Sequence, residues 1–128
     1  MKSNDATTLR PNGDRIIDAP LVNINLTTFI VQLKQEETWK KSGQNAITLF
    51  KSMIMRIILI ALHKNTEMKE HTTAGSISIQ VIEGEMVFTT AEQTLTLGRG
   101  QMLVLHEGIP HSIFANTDTV FLLTLTIA

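Results

Sequence analysis

The chain has 128 residues and a mass of 14.2 kDa, which gives room for one domain with one hydrophobic core. The 11 basic and 12 acidic residues give a formal net charge of -1, which disfavours a basic nucleic-acid-binding face, and 43% hydrophobic residues argue against disorder. The absence of cysteine excludes a disulfide framework, a thiol nucleophile and a thiolate-bound metal, so His, Asp and Glu are the strong metal ligands left.

Residues 1–20 are predicted to form an irregular lead-in, with a turn at Pro11-Asn12-Gly13-Asp14. The first 18 residues are polar where a secretory signal needs an apolar core, so we expect a cytoplasmic protein. The longest apolar run, Ile57 to Leu62, is far shorter than the roughly 20 residues that span a bilayer, so no membrane partner is expected.

Between Leu21 and Leu33 apolar and polar residues mix without a clear period, which predicts either a short strand or one helical turn. We expect at most one or two helical turns before the first long strand. Residues 1–45 are therefore predicted to be an N-terminal lead-in that belongs to the same domain as residues 46–128.

From residue 46 onward the sequence alternates short β-type runs with turn-forming residues, which is typical of an antiparallel sandwich or barrel. No helix of ordinary length fits after residue 44. The predicted strands are Ala46 to Phe50, Met53 to His63, Ser76 to Glu83, Glu85 to Thr90, Gln93 to Leu97, Gln101 to Leu105, Ser112 to Ala115 and Val120 to Ile127.

Two of these runs differ in how many of their faces are apolar. Between Ser76 and Val81 apolar residues occupy every second position, which indicates a strand with one buried face. The run from Met53 to Leu62 is apolar on both faces except at Arg56, so its second face needs a cover. A second sheet, the N-terminal segment or another subunit would provide it, and we predict a homodimer.

Histidines and glycines recur at motif spacing in two stretches, one from His71 to Gly84 and one from Gly100 to Ala115. Together they resemble the two motifs of the cupin superfamily, and the resemblance extends from about residue 53 to residue 126. It implies a small single-domain protein of all-β class, a cupin-type antiparallel barrel, also described as a double-stranded β-helix or jelly roll.

In that family three histidines and one glutamate bind a metal at the mouth of the barrel. The resemblance places His71 and His111 at two of the four ligand positions, Thr73 at the position of another histidine and Ile77 at that of the glutamate. A divalent metal ion is therefore expected to be weakly bound or absent, because protein zinc sites usually have three or four protein ligands. We predict that these four residues line the ligand pocket.

The remaining histidines are two candidates for additional metal ligands. His63 ends the long apolar run, and His106 stands where the family usually has proline. Lone histidines adopt many roles, so hydrogen bonding to backbone or water is the favoured interpretation for both.

Three functions remain open, because cupin barrels host all of them. The first and favoured function is binding of a small molecule in the barrel, with His71 and His111 as polar anchors. The second is a metal-dependent dioxygenase, isomerase or decarboxylase whose incomplete histidine set holds iron, manganese, nickel or zinc. The third is a non-catalytic structural or regulatory dimer.

Overall fold

The computed structural model of the chain describes residues 2–3 and 15–127, so the turn expected at residues 11–14 lies outside the described part. The helices are α1 (Leu26–Gln35) and α2 (Glu37–Lys41). The strands are β1 (Lys2–Ser3), β2 (Ile16–Asp18), β3 (Gln44–Lys51), β4 (Met55–Leu62), β5 (Glu67–His71), β6 (Ile77–Glu83), β7 (Glu85–Thr89), β8 (Thr94–Gly98), β9 (Met102–Leu105), β10 (His111–Ala115) and β11 (Thr119–Thr126).

Two antiparallel sheets form the body of the molecule, and a short β1–β2 pair accompanies them. One sheet has the strand order β5-β10-β7-β8, and the other has the order β3-β4-β11-β6-β9. This is the antiparallel jelly roll predicted from the sequence, and each of the eight predicted strands is present. Within the described ranges, no helix has the length and apolar character that crossing a membrane requires.

The inner faces of the two sheets enclose the main hydrophobic core. On β6 the alternation predicts the buried face correctly, because Ile77, Ile79 and Val81 are all buried there. The β6–β7 hairpin turns at Gly84, whose φ of 84° lies in the left-handed region that glycine adopts without strain.

Strand β4 is buried on both faces, as its composition indicates. Its inner face contributes to the core between the sheets through Ile58, Ile60 and Leu62. Its outer face joins a second core with the helices through Ile57, Leu59, Ala61, Leu33 and Trp39. The helices of the same chain therefore cover this face, and the apolar character of β4 does not require a second subunit.

The expectation of at most one or two helical turns before the barrel is wrong, because α1 alone has 10 residues. From Leu26 onward the apolar residues follow the helical spacing i, i+3, i+4, i+7 with Phe29, Ile30 and Leu33. The Asn25 side chain accepts a hydrogen bond from the backbone N–H of Thr28 at 3.3 Å and caps the helix.

Strand β5 is absent from the strands predicted from the sequence. It is an edge strand that pairs with β10 alone, and Met68 is its one apolar side chain. Edge strands often carry charged residues, so the composition of β5 resembles that of a loop.

Candidate functional site

His71 and His111 lie side by side at one end of the four-stranded sheet. They are direct partners in the β5–β10 ladder, and side chains of such partners share a face. Their ring centroids are 4.4 Å apart, with 60° between the ring planes. His71 is exposed, whereas His111 is 2% exposed and stacks on Phe88 with ring centroids 5.4 Å apart.

A backbone carbonyl two residues earlier orients each imidazole. His71 Nδ1 lies 2.9 Å from the carbonyl oxygen of Lys69, and His111 Nδ1 lies 2.9 Å from that of Ile109. A carbonyl oxygen only accepts, so each Nδ1 carries the proton and donates it. This leaves Nε2 of each ring as the nitrogen that can accept a hydrogen bond or bind a metal.

Thr73 and Ile77 supply no further ligand to the histidine pair. The Thr73 hydroxyl donates to the carbonyl oxygen of Gly75 at 2.9 Å. Ile77 is 2% exposed and belongs to the core between the sheets. The position of the family's carboxylate is therefore part of the apolar core.

The two candidate additional ligands do not join the pair. His63 stacks on Trp39 with ring centroids 3.5 Å apart, and its Nε2 lies 2.6 Å from the Trp39 carbonyl oxygen. It packs against Trp39 with its side chain 35% exposed, away from His71 and His111. The side chain of His106 is 90% exposed, and its Nδ1 lies 3.8 Å from a carboxylate oxygen of Glu107.

Glu107 is an acidic group near the first motif. Its carboxylate accepts a hydrogen bond from the Ser76 hydroxyl at 3.2 Å. The pKa of Glu107 is lowered from its ordinary value, first because its own backbone N–H donates to it and then because of Ser76 and His106. The carboxylate is thus stabilised in its charged form at the surface.

Two cavities open near this end of the barrel. The larger has a volume of about 420 Å³ and is lined by Phe88, Thr90, Ala91, Glu92, Gln93, Leu95, Leu103, Val104, Leu105, Ile109 and Pro110. The smaller has a volume of about 230 Å³ and is lined by Arg56, Thr73, Ala74, Gly75, Leu125, Thr126 and Ile127. Neither His71 nor His111 lines them directly, and Phe88 connects His111 to the larger cavity.

The ladder register relates the two cavities to one another. Arg56 pairs with Leu125, Leu125 pairs with Ile77, and Ile77 pairs with Leu105 in a single row across four strands. Arg56 and Leu125 line the smaller cavity, and Leu105 lines the larger one. Buried Ile77 therefore stands between the two cavities in this row.

The family model for the cupin domain matches residues 58–127, which is more than half of the chain. The chain belongs to the cupin family. This cupin has no match among curated proteins.

Solved structures support the same fold. A conserved protein of unknown function from Streptococcus pyogenes is 24% identical with a TM-score of 0.65, and the match covers 69% of this cupin and 77% of that chain. A cupin-2 domain protein from Shewanella frigidimarina is 18% identical with a TM-score of 0.66, over 81% and 94% of the two chains. Salicylate 1,2-dioxygenase from Pseudaminobacter salicylatoxidans is 24% identical with a TM-score of 0.60, over 65% and 26%.

The side chains of this cupin do not fit the family's metal centre. Among residues 2–3 and 15–127, no group of three or more His, Cys, Asp or Glu residues is arranged to hold a metal ion. Of the four residues at the motif's ligand positions, only His71 and His111 offer ring nitrogens, and the Ile77 side chain has no donor atom. A pair of imidazoles without a carboxylate neither completes a tetrahedral set nor neutralises a divalent charge.

Sequence reasoning missed Phe88 and Arg56 as parts of this region. Phe88 lies one strand from His111 in the β7–β10 pair, a relation that only the strand order shows. Arg56 carries a signal in the sequence, because it is the one charged residue in an otherwise apolar strand.

Proposed function

We propose that this cupin binds a small organic molecule in the larger cavity and does so without a family-type metal centre. The observation that carries the proposal is the cavity of about 420 Å³, which lies within the usual range of ligand sites, roughly 300–1,000 Å³. Its wall is mostly apolar and includes one aromatic ring, that of Phe88.

The polar groups of this cavity lie at its rim, in the connection between β7 and β8. Thr90, Glu92 and Gln93 supply a hydroxyl, a carboxylate and an amide there. His111 supports the wall from behind Phe88. A ligand with an apolar body and a hydrogen-bonding edge suits this distribution.

The proposal is tested by NMR on the ¹⁵N-labelled chain with a panel of neutral aromatic fragments. We expect amide shifts to cluster at residues 88–95 and 103–110, and native mass spectrometry to detect any small molecule retained through purification. Leu95→Lys should weaken fragment binding, because this partly exposed side chain forms part of the apolar wall. Met53→Lys is the matched control, since Met53 is exposed and outside the cavity.

Shifts scattered over the surface, or equal binding by both lysine variants, would contradict the proposal. The metal-dependent enzyme remains the second candidate because His71 and His111 present adjacent free Nε2 atoms. One equivalent of metal in protein purified without added metal would favour that function.

Two further expectations accompany the proposal. We propose that the protein is cytoplasmic, which cell fractionation tests. We also propose that it forms a homodimer, which sedimentation of the purified chain tests.

A further inference from the structure

Arg56 stands out among the charged residues because it lies on the inward-facing side of β4 and its Nε is buried. It shares the inner face of β4 with Ile58, Ile60 and Leu62, which belong to or pack against the core between the sheets. Its Nε is the one buried side-chain nitrogen or oxygen in the described part of the chain that has no hydrogen-bond partner.

An unpartnered guanidinium N–H is costly. A buried donor without an acceptor loses its hydrogen bonds to water and gains none in return, and this cost is larger when the group is charged. Arginine does not escape this cost by losing its proton, because the guanidinium stays charged at any physiological pH. The position therefore calls for an acceptor that residues 2–3 and 15–127 do not provide.

The cavity beside Arg56 has the size and lining of a site for a small acceptor. Its volume of about 230 Å³ corresponds to about eight water molecules at roughly 30 Å³ each. None of the seven residues that line it is acidic. A carboxylate or phosphate group with a short tail fits this space, whereas a larger ring system belongs in the other cavity.

The surrounding charges favour an anion. Lys51 is the direct ladder partner of Arg56 on β3, so two positive residues lie opposite one another at this end of the sheet. Like charges at such positions repel, and a bound anion relieves that repulsion. On the other side of Arg56 the row continues with two uncharged residues, Leu125 and then Ile77, which lies two strands from Arg56, about 10 Å at the usual strand spacing.

We propose that the smaller cavity is an anion site in which the Arg56 guanidinium binds the carboxylate or phosphate group of a small metabolite. Planar guanidinium groups bind such anions through two parallel hydrogen bonds, and Nε–H is one of the usual donors. The two hydroxyls at the site donate to backbone carbonyls, that of Thr73 to Gly75 and that of Thr126 to Ser76, so Arg56 is the main donor.

This inference goes beyond the proposed function, because it assigns a second cavity that binds an anion, whereas the larger cavity binds a molecule with an apolar body. One row of ladder partners connects the two cavities, because Leu125 of the smaller cavity pairs with Ile77, and Ile77 pairs with Leu105 of the larger cavity. Either site can fail its test without affecting the other, since neutral fragments probe one cavity and small anions probe the other.

The test follows the Nε–Hε resonance of Arg56 in the ¹⁵N-labelled full chain during titration with sodium acetate or inorganic phosphate. Sodium chloride at matched ionic strength is the control for screening. We expect a saturable shift of this resonance, and of the amides of residues 73–75 and 125–127, with at least one of the two anions. Saturation with acetate alone assigns a carboxylate, and saturation with phosphate alone assigns a phosphate ester.

Variants separate a specific site from general charge attraction. Arg56→Gln should weaken anion binding at least about tenfold, which corresponds to roughly 1.4 kcal/mol, while Arg99→Gln in the exposed turn before β9 should bind as the parent does. If Arg56→Gln fails to fold, Arg56→Lys keeps the charge and should still bind more weakly, because it lacks the planar fork.

Three results would overturn the proposal. The first is an equal shift with chloride, which would indicate screening alone. The second is undiminished saturation in a folded Arg56 variant. The third is the absence of any saturable shift with both anions, which would leave ordered water as the partner of Nε.

Discussion

Gly75 lies against the end of β11 more closely than any side chain allows. A Cβ at this position would lie 1.7 Å from the backbone carbonyl oxygen of Thr126. Thr126 is itself held in place, because its backbone N–H and its hydroxyl both donate to the carbonyl oxygen of Ser76. Overpacking a well-packed site costs roughly 1–3 kcal/mol, and a backbone clash belongs at the upper end of that range or above it.

We therefore predict that Gly75→Ala lowers the free energy of unfolding by about 3 kcal/mol or more, measured by urea denaturation. Gly98→Ala is the matched control, because its nearest atom is the Gln101 side-chain oxygen at 3.7 Å, and it should change stability by less than about 0.5 kcal/mol. Equal effects of the two changes would show that the Gly75 contact is not tight in solution.

Thr73 and Ile77 allow the missing metal ligands to be restored. We predict that Thr73→His with Ile77→Glu destabilises the metal-free protein, because an unpaired carboxylate replaces a core side chain. Added Mn²⁺ or Zn²⁺ should then raise the melting temperature of the double variant. Its free energy of unfolding should increase by about 2.7 kcal/mol when the metal reaches 100 times its dissociation constant.

The melting temperature of the parent protein should change little when the same metals are added. Thermal denaturation with and without metal measures both proteins. A parent that gains as much stability as the double variant would show that His71 and His111 hold the metal unaided. That result would support the metal-dependent enzyme.

One buried amide on β3 hydrogen-bonds the helix layer to the barrel, in addition to the apolar contacts of the second core. Asn45 Nδ2 donates to the carbonyl oxygen of Leu33 at 3.0 Å and to a carboxylate oxygen of Glu36 at 2.9 Å. We predict that Asn45→Leu costs roughly 1–3 kcal/mol, because these acceptors at the end of α1 lose their donor. Gln44→Ala, at the exposed neighbouring position, should cost much less in the same urea titration.

A smaller loss for Asn45→Leu than for Gln44→Ala would contradict this account. Amide hydrogen exchange gives a second measurement, since residues 26–41 should lose protection in the Asn45 variant before the barrel strands do.

At the level of elements, the sequence predicted most strands of the barrel, but it did not predict the edge strand β5 or the length of helix α1. Alternation in β6 and the hairpin at Gly84 are local signals, so both appear in the sequence. Strand β5 has no such signal, because an edge strand with mostly exposed side chains has the composition of a loop. The helical spacing from Leu26 to Leu33 was present but is obscured by Val22 and Ile24, which extend the apolar residues toward the N-terminus.

The site was predictable only as far as the motif register extends. His71 and His111 occupy matching motif positions, and the β5–β10 pairing brings them together. The relation of Arg56 to Ile77 depends on which strands neighbour one another, since 21 positions separate the two residues along the chain. Neighbouring strands that are distant in sequence leave no periodic pattern to detect.

At the scale of the whole molecule, the prediction of a homodimer now depends on strand β9. This strand has one pairing partner, β6, and its Met102 and Val104 side chains are 57% and 72% exposed. Exposed edge strands tend to pair with another chain. We expect sedimentation at tens of micromolar to show two chains per particle, and Val104→Lys to shift the protein toward one chain.

Thr96→Lys on β8 is the control for added charge at an exposed strand position, and it should leave the particle size unchanged. A single species near 14.2 kDa for the parent would reject the dimer.

The stack of Trp39 on His63 has a practical consequence for spectroscopy. Trp39 is the single tryptophan of the chain, and it is buried in the core between the helices and the outer face of the larger sheet. Its fluorescence therefore reports on the packing of the helix layer, while both proposed ligand cavities lie elsewhere. Emission that stays constant during a ligand titration, and moves to longer wavelength only when α1 and α2 detach, would distinguish occupancy of the barrel from loosening of its outer cover.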